Sequence, residues 1–188
     1  AATKADGLIV LSKSAQSYFQ EAYGRTATFI PNGIGQKRPV PANLIKQKWG
    51  LDEGSYLLYL GRLVPEKRPE LLIEAFKRLD TDKRLVIAGG GSDTSEFEAS
   101  LREAAQGDPR ILFTGFVSGG PLEELYSNCY AYVLPSDVEG MPMSLLEAMA
   151  HGRCCATSDI PECADVLAGN GVTFDKGSAD SLQSALKG

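Results

Sequence analysis

The sequence predicts an α/β fold of Rossmann type, a doubly wound parallel sheet covered by helices on both faces. From residue 56 onward, six short apolar runs alternate with six helix-like segments. The runs are almost continuously apolar, which is typical of strands buried on both faces of a parallel sheet. Right-handed crossovers would wind such a chain into a doubly wound sheet, whose ligands bind beyond the carboxyl ends of the strands. The loops that follow each strand are therefore the places to look for a site.

The residues before this repeat predict a smaller unit and a linker. Its expected elements are, in order, a strand over 7–12, a helix over 14–24 and a strand over 26–33. Gly24 is expected to end the helix, and Pro31-Asn32-Gly33 to stop the second strand. Residues 34–43 contain glycine and prolines without periodicity, which indicates a linker. The chain is accordingly divided into residues 1–36, a linker over 37–43 and a main domain over 44–188.

Within the main domain, strands and helices follow one another in pairs. The expected strands are 56–61, 84–89, 111–115, 131–136, 154–158 and 171–174. The helices that follow them are 68–80, 95–106, 121–129, 142–152, 161–167 and 178–188. Leu72, Phe76 and Leu79 form one apolar stripe. Helix boundaries are indicated by the capping box Ser95-x-x-Glu98, by Pro121 and Pro142 at first positions, and by Gly152 after the last turn.

Composition excludes several classes of protein. The chain has 188 residues, is 43% hydrophobic and 23% charged, and carries a formal charge of -5, which is ordinary for a globular domain. A nucleic-acid partner is not expected, because such domains are usually basic with clustered Lys and Arg. No apolar run approaches the length of a membrane span, and the apolar core near the N-terminus is too short for a signal peptide.

The four cysteines favour reduced thiols in a cytoplasmic protein, since none forms a C-x-x-C pair. An alternative is a zinc site formed by His151, Cys154, Cys155 and Cys163. Against it, neighbouring residues of a strand point to opposite faces, so that Cys154 and Cys155 should diverge. We therefore expect no metal.

Three loops after strands carry candidate binding residues. Arg62 and Lys67 share the loop after the first strand of the main domain. They would either bind one anion together, such as a phosphate, or form a solvated basic loop. The glycine cluster at 89–93 matches no phosphate-binding fingerprint, so a tight turn is favoured there. Phe116 and Val117 would either form a wall for a heterocycle or lie in a covered loop.

The loop after the fourth strand of the main domain holds two glutamates eight positions apart, Glu139 and Glu147. With Pro142 opening a helix, the amides of Gly140, Met141 and Met143 would cluster at its positive end and suit a phosphate. Two acids beside an anion site make sense if they bind neutral hydroxyls, because carboxylates accept hydrogen bonds from vicinal sugar hydroxyls. Two alternatives remain. Glu147 could be a solvated residue of the helix, or Asp137-Val138-Glu139 could belong to a metal-binding motif. The metal motif is disfavoured because the residues that follow Glu139 add no ligands.

The sequence resembles a known family at three places. The segment 139–147, EGMPMSLLE, resembles the E-x7-E signature of retaining GT-B glycosyltransferases, specifically glycosyltransferase family 4 (group 1). The segment 59–76 resembles the family's phosphate loop, and residues 5–34 resemble the end of its N-terminal domain. The resemblance therefore implies that this chain is one half of a two-domain GT-B enzyme, the donor-binding C-terminal domain plus a remnant of the acceptor domain.

By this resemblance, the site residues take defined roles. Arg62 and Lys67 would contact the diphosphate of a nucleotide-sugar donor, Glu147 the ribose, and Glu139 the transferred sugar. The amides of the segment Gly140, Met141, Pro142 and Met143 would hold phosphate, and Phe116 with Val117 would flank the base. Glu162 matches an acid found near the family's site. The family usually has Phe-Gly or Phe-Pro after Glu139-Gly140, and here it is Met141-Pro142.

The implied reaction is sugar transfer to an acceptor hydroxyl with retention and without a metal. The acceptor, a saccharide or lipid-linked saccharide, would bind through the rest of the N-terminal domain, so this chain alone is expected to turn over little. The resemblance is greatest to bacterial enzymes of surface polysaccharide synthesis, which implies a cytoplasmic enzyme at the inner face of the membrane. The alternatives are a non-catalytic nucleotide-binding module and a GT-B sugar-nucleotide epimerase, although such epimerases lack the E-x7-E spacing.

Overall fold

The computed structural model describes residues 3–90 and 95–187. The strands are Ile9–Val10 (β1), Thr28–Phe29 (β2), Tyr56–Leu60 (β3), Arg84–Ala88 (β4), Ile111–Gly115 (β5), Ala131–Leu134 (β6), Cys154–Ser158 (β7) and Val172–Phe174 (β8). The helices are Lys13–Tyr23 (α1), Leu44–Trp49 (α2), Pro69–Lys77 (α3), Ser95–Ala104 (α4), Gly120–Asn128 (α5), Met143–Ala150 (α6), Pro161–Leu167 (α7) and Ala179–Ala185 (α8). None of the helices in these residues has the length and apolar character that a membrane crossing requires.

The main domain is built on one six-stranded sheet with the order β5-β4-β3-β6-β7-β8. Every strand pair is parallel, and Leu58 of β3 lies between Val86 of β4 and Tyr132 of β6. The predicted doubly wound Rossmann-like fold is thereby confirmed. The strand order reverses between β3 and β6, and open α/β sheets bind ligands beyond the carboxyl ends of the strands at such a switch point.

Both faces of the sheet are covered, as the apolar runs predict. In β3, Leu57 and Tyr59 pack into one hydrophobic core with side chains of α3, α4 and α8. Tyr56 and Leu58 pack into the other core with side chains of α2, α5, α6 and α7. This alternation explains why β3 shows no polar face: each side chain is buried against helices on one side or the other.

The first residues form the expected strand–helix–strand unit, with strands of only two residues each. β1 and β2 pair in parallel as a separate sheet. The Ser12 side chain accepts a hydrogen bond from the Ala15 amide and caps α1, while Gly24, with φ of 62°, ends it. The linker is attached to α5, because the Val40 amide donates to Ser127 Oγ at 2.8 Å and Asn128 donates to the Val40 carbonyl. The division into 1–36, 37–43 and 44–188 remains a prediction.

Two local features differ from the sequence prediction. The helix α2 was not expected, because its six residues are too few for a clear helical period. It is stabilised by tertiary contacts, since Glu124 of α5 accepts a hydrogen bond from the Ile45 amide at 3.0 Å and Ile45 is fully buried. Pro142, expected as the first helical residue, instead precedes α6 as its N-cap. The predicted capping contact of Ser95 lies outside the described side chains.

Candidate functional site

A pocket of about 310 Å³ opens at the carboxyl ends of β3 and β6, where the strand order reverses. It brings together four of the predicted site residues, which come from two different loops and a helix: Lys67, Glu139, Met143 and Glu147. The rest of its lining is Leu60, Gly61, Leu134 and Ser144. The pocket is therefore an apolar cleft with one cation and two carboxylates, placed where the topology predicts a ligand.

Lys67 and Glu139 form an ion pair inside this pocket. Lys67 Nζ lies 2.7 Å from Glu139 Oε1, and the two side chains are 17% and 8% exposed. The short 3₁₀ turn Pro65–Lys67 presents the lysine, and its amide donates to the Val64 carbonyl at 3.0 Å. Burying two charges is costly unless each has a partner. In this pair each charge is compensated by the other at a site that faces the cleft.

The loops that carry Lys67 and Glu139 are attached to each other. The Asp137 amide donates to the Glu66 carbonyl at 2.9 Å, and Arg68 donates to Asp137 Oδ2 at 3.0 Å. Burial opposes ionisation of the Arg68 guanidinium, but the hydrogen bonds and charges of Asp137 and Glu70 together outweigh it and raise the pKa of Arg68. Sequence reasoning did not predict the ion pair of Arg68 with Asp137, because nothing in the sequence tells which residues of two separate loops meet.

The N-terminus of α6 borders the pocket, as expected. Within the described part of the chain, the amides of Gly140, Met141 and Met143 donate to no carbonyl or side chain. Such free amides, together with the helix dipole, favour an anion. Ser144 in the first turn accepts a hydrogen bond from the buried Tyr132 hydroxyl at 2.7 Å, which fixes the helix start on β6.

Glu147 lies on the second turn of α6 and lines the pocket. Glu147 is half-buried. Burial and, to a smaller extent, Tyr132 and Glu147 raise the pKa of the buried Tyr126 of α5. Glu147 is therefore not simply a solvated residue of an exposed helix face.

A second, narrower pocket of about 140 Å³ adjoins the first and holds Arg62, Phe116 and Val117. The two pockets share Leu60 and Gly61. Phe116 is 83% exposed and offers an uncovered aromatic face. Arg62 does not share the Lys67 pocket: its side chain is largely exposed, and its guanidinium lies 3.7 Å from the Glu66 carboxylate.

Close backbone packing forms the base of this second pocket. The Gly61 amide donates to the Ala88 carbonyl at 3.1 Å, and the Gly89 amide to the Gly115 carbonyl at 2.9 Å. Gly89 has a φ of 139°, and a Cβ there would lie 1.9 Å from the Gly61 carbonyl oxygen. Two of the three glycines at 89–91 are thus described, and Gly89 permits a close approach of two loops. The remainder of the predicted turn, 91–93, lies outside the described residues.

Gly140 and Met141 also line a third pocket, of about 290 Å³, on the other side of the segment before α6. Its walls come from the start of α1, the end of β2 and α7, including Phe29. Glu162 lies here rather than beside Glu139, and it accepts a short hydrogen bond from Ser14. The predicted residues are therefore distributed over three neighbouring pockets.

The residues of the zinc alternative are not brought together. Cys154 is exposed, Cys155 and Cys163 are buried, and all are free thiols. No group of three or more His, Cys, Asp or Glu side chains in residues 3–90 and 95–187 is arranged to hold a metal ion. Burial raises the pKa of both Cys155 and Cys163 to about 12. His151 instead stacks on Tyr126, with ring centroids 5.6 Å apart.

The buried His151 predicts an acid-sensitive stability. Burial lowers the pKa of His151 below its ordinary 6.5 and outweighs the attraction of Glu123, whose Oε2 lies 3.2 Å from Nε2. Below pH 6.5 the unfolded chain therefore binds a proton that the folded chain resists, and stability falls as the pH drops. We expect the urea midpoint to decrease between about pH 7.5 and 5.5, and His151→Gln to reduce this decrease. An equal decrease in wild type and variant would contradict the assignment.

Comparison with known proteins identifies relatives of this chain. The O-antigen chain mannosyltransferase B of Escherichia coli is 26% identical over 165 residues, which are 86% of this chain and 42% of that protein. An Escherichia coli UDP-Gal:alpha-D-GlcNAc-diphosphoundecaprenol alpha-1,3-galactosyltransferase is 31% identical over 141 residues, 70% of this chain and 36% of that protein. The chain thus spans less than half the length of these relatives.

Solved structures share the fold. The Anabaena protein HepE, in complex with UDP and glucose, superposes with a TM-score of 0.86 at 20% sequence identity. The superposition covers 97% of this chain and 53% of the HepE chain. The sequence profile described as Glycosyl transferases group 1 matches residues 42–187, which include every strand and helix of the six-stranded domain. The chain therefore belongs to the family of group 1 glycosyl transferases.

Proposed function

We propose that this domain binds the nucleotide-diphosphate sugar donor of a glycosyltransferase. One observation carries the proposal: Lys67, Glu139 and Glu147 line a single pocket at the topological switch point, next to an apolar pocket with the exposed Phe116. A cation suits a diphosphate, carboxylates suit sugar hydroxyls, and an aromatic face suits a base. The two pockets adjoin, as the parts of one such ligand require.

The residues of the two pockets are assigned accordingly. The base lies against Phe116 and Val117, and Glu147 accepts hydrogen bonds from the ribose hydroxyls. The diphosphate lies between Lys67 and the free amides at the start of α6, and Arg62, which lines the adjoining pocket, binds the same group. Glu139 faces the transferred sugar. The assignment draws support from Met143, which lines the pocket and whose amide donates to no carbonyl in the described part of the chain.

The chemistry follows from where negative charge develops. When the bond between sugar and diphosphate breaks, the leaving diphosphate gains charge, and Lys67, Arg62 and the α6 dipole stabilise that state more than the bound donor. We propose that these groups replace a divalent cation, so that transfer needs no metal. Retention at the anomeric carbon is proposed from the Glu139-x7-Glu147 spacing alone.

The whole enzyme is proposed to be longer than this chain. The acceptor, a saccharide or lipid-linked saccharide, would bind to the remainder of the N-terminal domain, with transfer to one of its hydroxyls. The names of two relatives, an O-antigen mannosyltransferase and a galactosyltransferase acting on a diphosphoundecaprenol substrate, support a role in bacterial surface polysaccharide synthesis. For such acceptors we propose that the enzyme lies in the cytoplasm and associates peripherally with the inner membrane face.

Calorimetric titration tests the donor assignment. We expect the chain to bind one of UDP, GDP, ADP and dTDP selectively, and both Arg62→Ala and Glu147→Ala to weaken that binding by about tenfold, because each removes charged or charge-assisted hydrogen bonds. The matched control is Arg102→Ala, which removes an exposed arginine paired with Glu98 on α4. Binding that survives both site substitutions unchanged would contradict the assignment. Absence of binding by the wild-type chain, repeated in the full-length enzyme, would contradict the proposed function.

A further inference from the structure

Ser136 is a buried polar residue that the proposed chemistry does not yet use. It lies two residues after β6, in the loop that leads to Glu139, and it is 0% exposed. A serine hydroxyl with no access to water needs a hydrogen-bond partner inside the protein. The partner here is Glu139 Oε1, at 2.7 Å from Ser136 Oγ.

The direction of this hydrogen bond is fixed by chemistry. An ionised carboxylate only accepts hydrogen bonds, so the Ser136 hydroxyl must donate. Lys67 Nζ contacts the same oxygen at 2.7 Å. In residues 3–90 and 95–187, no side chain or amide binds the other oxygen, Oε2. One edge of the carboxylate is thus held by two donors, and the other edge is left for a ligand in the cleft.

The position of Ser136 is itself fixed by the neighbouring strand. The hydroxyl of the buried Ser158, at the end of β7, donates to the Ser136 carbonyl at 2.5 Å. Glu139 is therefore connected through Ser136 to the ends of both β6 and β7, on the central part of the sheet. Lys67 cannot hold the Glu139 carboxylate in the same way. Its side chain is flexible, and when it binds a diphosphate its charge is shared between Glu139 and the diphosphate.

We infer that Ser136 is a positioning residue, which holds Glu139 Oε1 so that Oε2 points at the transferred sugar when Lys67 engages the diphosphate. This inference rests on the proposed donor function and adds a residue to it. Loss of Ser136 should weaken recognition of the sugar and leave recognition of the nucleotide diphosphate largely intact. Loss of a serine with only a structural role would not separate the two.

The test compares the affinity for the preferred nucleotide diphosphate with that for its sugar conjugate, measured by calorimetry on the same protein. In Ser136→Ala we expect the ratio of the two affinities to shift against the sugar conjugate by about fivefold to tenfold. This is less than the full contribution of one charge-assisted hydrogen bond, because Ser136 acts on the sugar only through Glu139. Glu139→Gln should shift the same ratio. The double variant Ser136→Ala with Glu139→Gln should have the same affinity ratio as Glu139→Gln alone, since Ser136 acts only through Glu139.

A matched control separates this role from loss of stability. Ser127 is also buried, and its hydroxyl accepts a hydrogen bond from the Val40 amide far from the cleft. Ser127→Ala should lower the melting temperature without changing the affinity ratio. Additive effects of Ser136→Ala and Glu139→Gln, or an unchanged ratio in a folded Ser136→Ala, would overturn the inference. Failure of the wild-type chain and of the full-length enzyme to bind any nucleotide diphosphate would instead count against the proposed function on which it rests.

Discussion

Lys67→Met is expected to cause the largest loss of donor affinity of any single substitution in the pocket. The lysine supplies the one ammonium group among the residues that line it, and a hydrogen bond between charged groups contributes about 1.5–3 kcal/mol, or roughly tenfold to hundredfold in affinity. Methionine keeps the length and apolar stem of the side chain. The loss of affinity therefore reports the contribution of the charge and its hydrogen bonds. It is measured as an increase in the dissociation constant for the nucleotide diphosphate.

The same substitution is expected to lower stability, which provides a second and independent readout. It leaves Glu139, with a side chain only 8% exposed, without its cation, and breaking a buried ion pair costs about 3–5 kcal/mol when one charge remains. Lys67→Met with Glu139→Gln should recover most of the stability and none of the affinity. Lys46→Met is the control, because its pair with Asp52 is exposed. A donor affinity equal to that of the control would contradict the diphosphate assignment.

Gly89→Ala is expected to have the largest effect on folding. The new Cβ would lie 1.9 Å from the Gly61 carbonyl oxygen, a backbone atom that cannot move without separating the ends of β3 and β4. The φ of 139° is also unfavourable for any residue with a side chain. Overpacking and backbone strain together predict a loss of about 3 kcal/mol or more in the free energy of unfolding, measured by urea denaturation.

The neighbouring glycine provides a matched control for this prediction. A Cβ at Gly90 would meet nothing within 4 Å. Gly90→Ala should therefore change the free energy of unfolding by less than about 1 kcal/mol. Equal stability of the two variants would show that the close approach of Gly61 and Gly89 does not hold in solution.

The fold of the main domain could be predicted because its signals are local. The strand Cys154–Ser158 and the helix Pro161–Leu167 were predicted residue for residue, since continuous apolar runs and a proline at the helix start need no knowledge of distant residues. The helix α2 could not be predicted in this way. Its capping acceptor, Glu124, is 79 residues away from Ile45 in sequence, and its stability comes from packing against α5.

For the candidate site, the sequence pointed to individual charged residues and not to their contacts. The predicted Lys67, Glu139 and Glu147 line one pocket, and their roles stay predictions. The hydroxyl of Ser136 and the Gly61–Gly89 contact were missed, because each depends on a distance between loops that only the folded sheet defines. From the sequence, Arg62 and Lys67 could form either one anion site or a solvated basic loop. They line adjoining pockets, and their joint contact with one diphosphate stays a prediction.

The most direct test of the central claim is to map where the donor binds. Amide NMR spectra of the chain would be recorded during titration with the preferred nucleotide-diphosphate sugar. We predict that the shifts concentrate on the loop after β3, on Phe116 and Val117, and on the segment from Gly140 to Ser144 at the start of α6. Shifts confined to the pocket between α1 and α7, or absent from the ends of β3 and β6, would contradict the claim that the switch point is the donor site.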